Sequence, residues 1–141
     1  MTWKLSKAAV QLREQFDDCY PERDRSSDGT KGDDRHSKIK SDHNPDKNGW
    51  VRALDIDSDL LRKQPEEMAY IVNQLCSNAR KDGRLAYVIY NGKIASPKSL
   101  WKWRKYRGVN PHTKHAHFSF KKSADNDGRF FDVPMLGGSL G

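Results

Sequence analysis

Apolar and polar positions recur along this chain with two different periods, and the change of period marks its elements. Residues 3–16 (WKLSKAAVQLREQF) place Leu5, Ala8, Ala9, Leu12 and Phe16 at helical spacing, with Thr2 as the candidate N-cap. Residues 65–81 repeat that spacing, with Met68, Val72, Leu75, Cys76 and Ala79 as the apolar stripe. Pro65 suits the first turn of this helix, Glu66 and Glu67 its positive end, and Gly83 its stop. Over residues 50–57 (WVRALDID) the period drops to two from Val51 onward. Leu54 and Ile56 then share one strand face, and Asp55 and Asp57 the other. Leu85–Tyr90 and Lys93–Ala95 flank Asn91-Gly92, a strong short hairpin signal. His115–Phe120 is the final strand, and a Gly-rich tail follows. The pattern predicts an α+β fold, with two helices flanking a small, mostly antiparallel sheet. One domain is expected over residues 1–141, with its core at about 3–120 and a tail over 121–141.

One long segment has neither period. Residues 21–49 (PERDRSSDGTKGDDRHSKIKSDHNPDKNG) contain almost no large apolar side chain and cannot build a core. An irregular stretch of this length in a small domain usually carries function or is disordered. Composition narrows the classes. Mean hydropathy is −0.98, yet four Trp, five Phe and five Tyr supply core material, which excludes wholesale disorder. No stretch approaches the roughly 18–20 apolar residues of a membrane span, and the N-terminus lacks the apolar run of a signal peptide. Synthesis in the cytosol is expected. Cys19 and Cys76 form no Cys-x-x-Cys, and a disulfide framework is not expected. The net charge of +7 favours anionic partners: nucleic acid, acidic polysaccharide, cell wall or an anionic membrane face.

Three features carry candidate chemistry: Ser41-Asp42-His43, Ala53-Leu54-Asp55 and His115-Ala116-His117. A catalytic zinc takes three protein ligands of the N/O type and leaves one position for water. Two histidines and one aspartate from separate elements can supply that set, and other metals use such ligands too. His-x-His on a strand puts both imidazoles on one face, so one can bind metal while the other addresses water. Asp55 lies on the polar face of its strand, aimed away from the core. Taken singly, each feature has an ordinary explanation as a structural histidine or a solvated carboxylate. Their joint occurrence raises the metal reading above it.

These residues also resemble a known family. Ser41-x-His43, Ala53-x-Asp55 and His115-x-His117 are similar to the zinc-site signature of the LAS-type zinc peptidases. That family comprises D-alanyl-D-alanine carboxypeptidases and L-alanyl-D-glutamate endopeptidases, including small phage endolysins. Arg25–Asp33, Ser41–Pro45 and the run from Trp101 to His117 resemble its phage-associated branch, so the likeness spans roughly residues 20–120. It implies Zn2+ held by His43, Asp55 and His117. It implies a single catalytic domain that cleaves peptide bonds in the stem peptides of bacterial peptidoglycan, acting in host cell lysis. A monomer without a membrane span is expected, with peptidoglycan as its partner. The protein would stay in the host cytoplasm until a holin lesion releases it to the cell wall.

Two departures from the family pattern shape the remaining assignments. Eleven residues separate His43 from Asp55, and the turn Asn44–Gly49 accounts for the extra length. Lys114 stands where many members carry a catalytic Glu or Asp three residues before the last zinc ligand. The general base must then be another residue: His115 first, His112 second, Asp57 third. Arg25 and Arg35 lie where the family often carries an arginine for the substrate carboxylate or scissile carbonyl. The segment WKWRKYR (101–107) is expected mainly to pack Trp101, Trp103 and Tyr106, with basic residues facing an anionic polymer. An alternative reading is a basic nucleic-acid-binding protein or metal-dependent nuclease, although no nucleic-acid motif accompanies the charge. A third is a wall-binding module that keeps the fold without catalysis.

Overall fold

A computed structural model describes residues 2–32, 41–61, 67–108 and 110–138. Seven strands and two helices occur among them in the order β1 (Lys4–Leu5), α1 (Lys7–Cys19), β2 (Trp50–Val51), β3 (Ala53–Asp57), α2 (Glu67–Asp82), β4 (Leu85–Tyr90), β5 (Lys93–Ala95), β6 (Arg104–Lys105) and β7 (His115–Phe120). Five strands form an antiparallel sheet in the order β3-β7-β4-β5-β6, and β1 pairs with β2 in parallel. The fold is α+β, as the periodicities predict.

Strand alternation divides the sheet into two chemically different faces. Leu54, Ile56, Ala116, Phe118 and Val88 point to the core, where both helices cover them. α1 contributes Ala8, Ala9, Leu12 and Phe16, and the Phe16 and Phe118 rings meet at a centroid distance of 6.0 Å. α2 contributes its predicted stripe together with Ile71, and burial pushes the Cys76 thiol up to about 12. Asp55, Asp57, His115, His117, Ser119 and Tyr87 occupy the opposite face. Every residue proposed for chemistry on β3 and β7 therefore projects away from the core.

The first helix begins later than its apolar spacing predicts. Its N-cap is Ser6, not Thr2, because Lys4 and Leu5 pair with Trp50 and Val51. The Lys4 amide donates to Gly49 O and the Ser6 amide to Val51 O. This partnership spans more than forty residues of sequence, so local periodicity carries no trace of it. The strand predicted over 50–57 is likewise divided between the two sheets. Residues 62–66, with the predicted helix start at Pro65 and Glu66, lie outside the described residues. Gly83 ends α2 as predicted: its φ is +83° and its amide donates to Ala79 O. The 91–92 hairpin also forms, with Asn91 and Gly92 both at positive φ, as a type I′ turn requires.

The core does not stop near residue 120. Phe131, Val133 and Leu136 are fully buried, so much of the tail belongs to it. The Gln15 amide on α1 donates to Phe131 O and Leu136 O and accepts from the Phe131 amide. Buried Arg84 covers the Phe131 ring and donates to the carbonyls of Arg129 and Phe130. The tail lacks periodicity, and these polar clamps are what position its three apolar anchors. In the WKWRKYR segment, Trp101 and Trp103 pack against the core's edge, and Trp103 Nε1 donates to Asn73 Oδ1 on α2. No helix among the described residues is long and apolar enough to cross a membrane.

Candidate metal centre

Register places the site. Asp55 stands opposite His117 in the β3–β7 ladder, and Asp57 opposite His115. The described part of the irregular 21–49 segment folds over this face and delivers His43. Gly29 bridges to Asp55, its amide donating to Asp55 O and accepting in turn, through its carbonyl, from the Asp55 amide. The Gly32 amide donates to His43 O, which ties the two limbs of the loop together. His43 Nε2 then lies 3.1 Å from Asp55 Oδ2, and His117 Nδ1 lies 3.0 Å from Asp55 Oδ1. One ligand atom from each of His43, Asp55 and His117 falls within 4.8 Å of the others, so this group could hold a metal ion.

The hydrogen-bond partners fix where the protons sit. His43 Nδ1 is 2.5 Å from Thr30 O, and a carbonyl only accepts, so Nδ1 carries the proton. In the neutral ring, Nε2 turns its lone pair on Asp55. On the other side, Tyr87 Oη and Ser119 Oγ both donate to Asp42 Oδ2, at 2.7 and 2.9 Å. With its proton so committed, Ser119 Oγ accepts from His117 Nε2, 2.8 Å away. His117 Nδ1 is then the lone pair that faces Asp55. Two nitrogen lone pairs and a carboxylate thus converge, and they repel unless a ring proton or a metal cation lies between them. The donor set fits a divalent cation of the zinc type.

The local electrostatics show that Asp55 stabilises positive charge at this point, as a ring proton or as a bound cation. Burial works against charge on His43, but hydrogen bonding and attraction from Asp55 outweigh it and raise its pKa. Burial also penalises the Asp55 carboxylate, yet His117 and His43 hold its pKa well below the usual range. Space at this point is narrow: a Cβ on Gly29 would lie 3.0 Å from Asp55 Oδ2.

The remaining candidate residues separate clearly. His115 stands at the rim, with Nε2 3.6 Å from Asp55 Oδ2. His112 packs edge-on against His115 at 5.0 Å and against His117 at 5.4 Å, from a backbone φ of +58°. Its Nδ1 is buried without a hydrogen-bond partner among the described residues. Burial, then the neighbouring His117 and His115, push its pKa down to about 4, so it is neutral at neutral pH.

Asp57 is committed to hydrogen bonds of the loop. Its Oδ2 accepts from the Ser27 amide and hydroxyl and its Oδ1 from the Asp59 amide, so its carboxylate shapes the loop. Arg25 lies on the surface, paired with Asp17 and with Arg23 O. The buried arginine of this region is Arg23, which clamps Asp17 and Asp28, and Asp28 in turn accepts from the Asp57 amide. Arg35 lies outside the described residues.

Sequence reasoning gave no role to Thr30, Gly29, Asp42, Tyr87 or Ser119. Ser119 was findable, since it follows His117 by two on the same strand face. Asp42 adjoins a candidate ligand. Thr30 and Gly29 carry no local signal. Comparison of the chain with known protein families, with curated proteins and with solved structures gave no match.

Proposed function

We propose that this protein is a zinc-dependent peptidase that cleaves peptide bonds in the stem peptides of bacterial peptidoglycan, as an endolysin does in host cell lysis. One observation carries the reading. His43, Asp55 and His117 converge with both histidine lone pairs already oriented by Thr30 and by the Ser119–Asp42 pair. Outer hydrogen bonds of this kind orient the ligands of catalytic metals. The similarity of the three motifs to the LAS-type signature supplies the substrate class.

Zinc bound there would polarise a carbonyl and lower the pKa of its water towards ~7. The chain's own residues do the rest. His43 and His117 keep their rings fixed, and Asp55 balances the charge. His115, on the same strand face as His117, takes a proton from the attacking water and returns it to the leaving amine. His112 packs its neutral ring against His115 and limits its movement.

The test is a digest of purified peptidoglycan by the zinc-loaded protein, with a chelated control, read by mass spectrometry. Stem-peptide fragments that vanish with the chelator are expected, and their masses name the bond. Intact peptidoglycan from protein shown to hold zinc would overturn the proposal.

A further inference from the structure

A groove of about 510 Å³ adjoins the candidate metal centre, lined by Asp42, Asn44, Asp46, Trp50, Arg52 and Tyr87 among others. Asp42 belongs to both places: one of its oxygens supports Ser119 beside His117, and the residue itself lines the groove. A substrate held there would lie beside the Asp42–Ser119 contact that supports His117.

The charge of this groove runs against that of the protein. Its guanidinium is already spent, since Arg52 pairs with Asp46 at 2.7 Å and with Asp125 at 2.7 Å. Asp46 is spent as well, accepting from the Asn48 and Trp50 amides and from Arg52. Lys4 lies over the Trp50 ring, 4.4 Å from its centroid. Asp42 differs from all of these. Tyr87 and Ser119 both donate to its Oδ2, which holds the carboxylate still. Its Oδ1 has no partner among the described residues. The groove therefore presents one fixed, solvent-exposed carboxylate beside the Tyr87 ring. It offers no uncommitted cation, although the chain as a whole is at +7. A carboxylate held in this way is set to accept from a substrate ammonium group.

Resting on the peptidase reading above, we propose that the groove binds the side-chain ammonium of a diamino acid in the stem peptide, with Asp42 as its acceptor. The groove thereby selects peptides that carry this amine next to the bond that is cut. Trp50 and Tyr87 flank the aliphatic part of that side chain.

The experiment uses the zinc-loaded full chain and three synthetic stem peptides that differ only at the diamino position: lysine, Nε-acetyl-lysine or norleucine. The lysine peptide should be cleaved with kcat/KM higher by about tenfold or more, chiefly through KM, the size of one charge-assisted hydrogen bond. Asp42→Asn should bring the lysine to acetyl-lysine ratio to within about twofold, even if overall activity falls. Ser119→Ala, which removes one of the two donors to that carboxylate, should narrow the ratio less than Asp42→Asn does. Calorimetric binding of the three peptides to the metal-free protein provides a readout independent of turnover. Equal cleavage of all three peptides would overturn the groove assignment and leave the peptidase reading standing. Preferential binding of the lysine peptide without any cleavage would support the groove and overturn the peptidase reading. Neither binding preference nor cleavage would overturn both.

Discussion

His117 Nδ1 lies 3.0 Å from Asp55 Oδ1, across a register in which the two residues are direct antiparallel partners. Partners in a ladder cannot drift apart without breaking the sheet, so the backbones of two of the three candidate ligands are held together by strand pairing. The third, His43, depends on a loop folded over the sheet face. This difference sets how the site should respond to change.

Substitution of His43, Asp55 or His117 by Ala should each abolish zinc binding, measured as bound metal after dialysis. Ser119→Ala should be milder, weakening zinc about 10- to 100-fold while the fold persists, because it releases the His117 tautomer without removing a ligand. A chelator competition would measure this. Unchanged affinity would show that the Ser119–Asp42 pair does not orient His117.

His115→Ala should retain zinc and lose about 10²- to 10⁴-fold in turnover, the usual contribution of a positioned base. Metal content and kcat, determined on the same sample, distinguish this from loss of the site. A fully active variant would remove His115 from the mechanism and turn attention to His112.

Acid should weaken the loop that carries His43. The Trp50 amide and Arg52 hold the Asp46 carboxyl down, from an ordinary 3.8 to about 2. Folding favours its ionised form, so this contribution is complete above about pH 4 and is lost as pH falls through about 2. Asp46→Asn should lower the urea midpoint at pH 6, and the difference from the parent should shrink as pH falls towards 2. A difference that stays constant across this range would contradict the assignment.

The tail should prove to be part of the core. Phe131→Ala should cost about 3–5 kcal/mol in urea unfolding, as expected for a fully buried aromatic side chain. A cost below about 1 kcal/mol would mean that residues 121–138 merely rest on the surface.

Much of this architecture was legible in order along the chain. Helical spacing located α2 and its stop at Gly83, and alternation located β3 with Leu54 and Ile56 facing inward. The Asn-Gly pair located the hairpin. These features depend on neighbours within a few residues, which is the range that periodicity and turn chemistry report. Alternation also aimed Asp55 away from the core, and put His115 and His117 on one strand face, before any strand was paired.

What the sequence by itself determined, then, is most of the two helices and the longer strands, the polar face of β3, and the residue types available for a cation. Only the tertiary structure decided which of those residues meet. It paired Asp55 with His117, turned Asp57 to the service of Ser27 and Asp59, and sent Arg25 to Asp17 on the surface. It also folded a tail without periodicity into the core and delayed the start of α1 until after Ser6 in favour of a strand pair with residues 50–51. Each of these outcomes depends on contacts between residues tens of positions apart. Their free energy comes from register, burial and hydrogen-bond satisfaction in the assembled fold, and no local pattern encodes it.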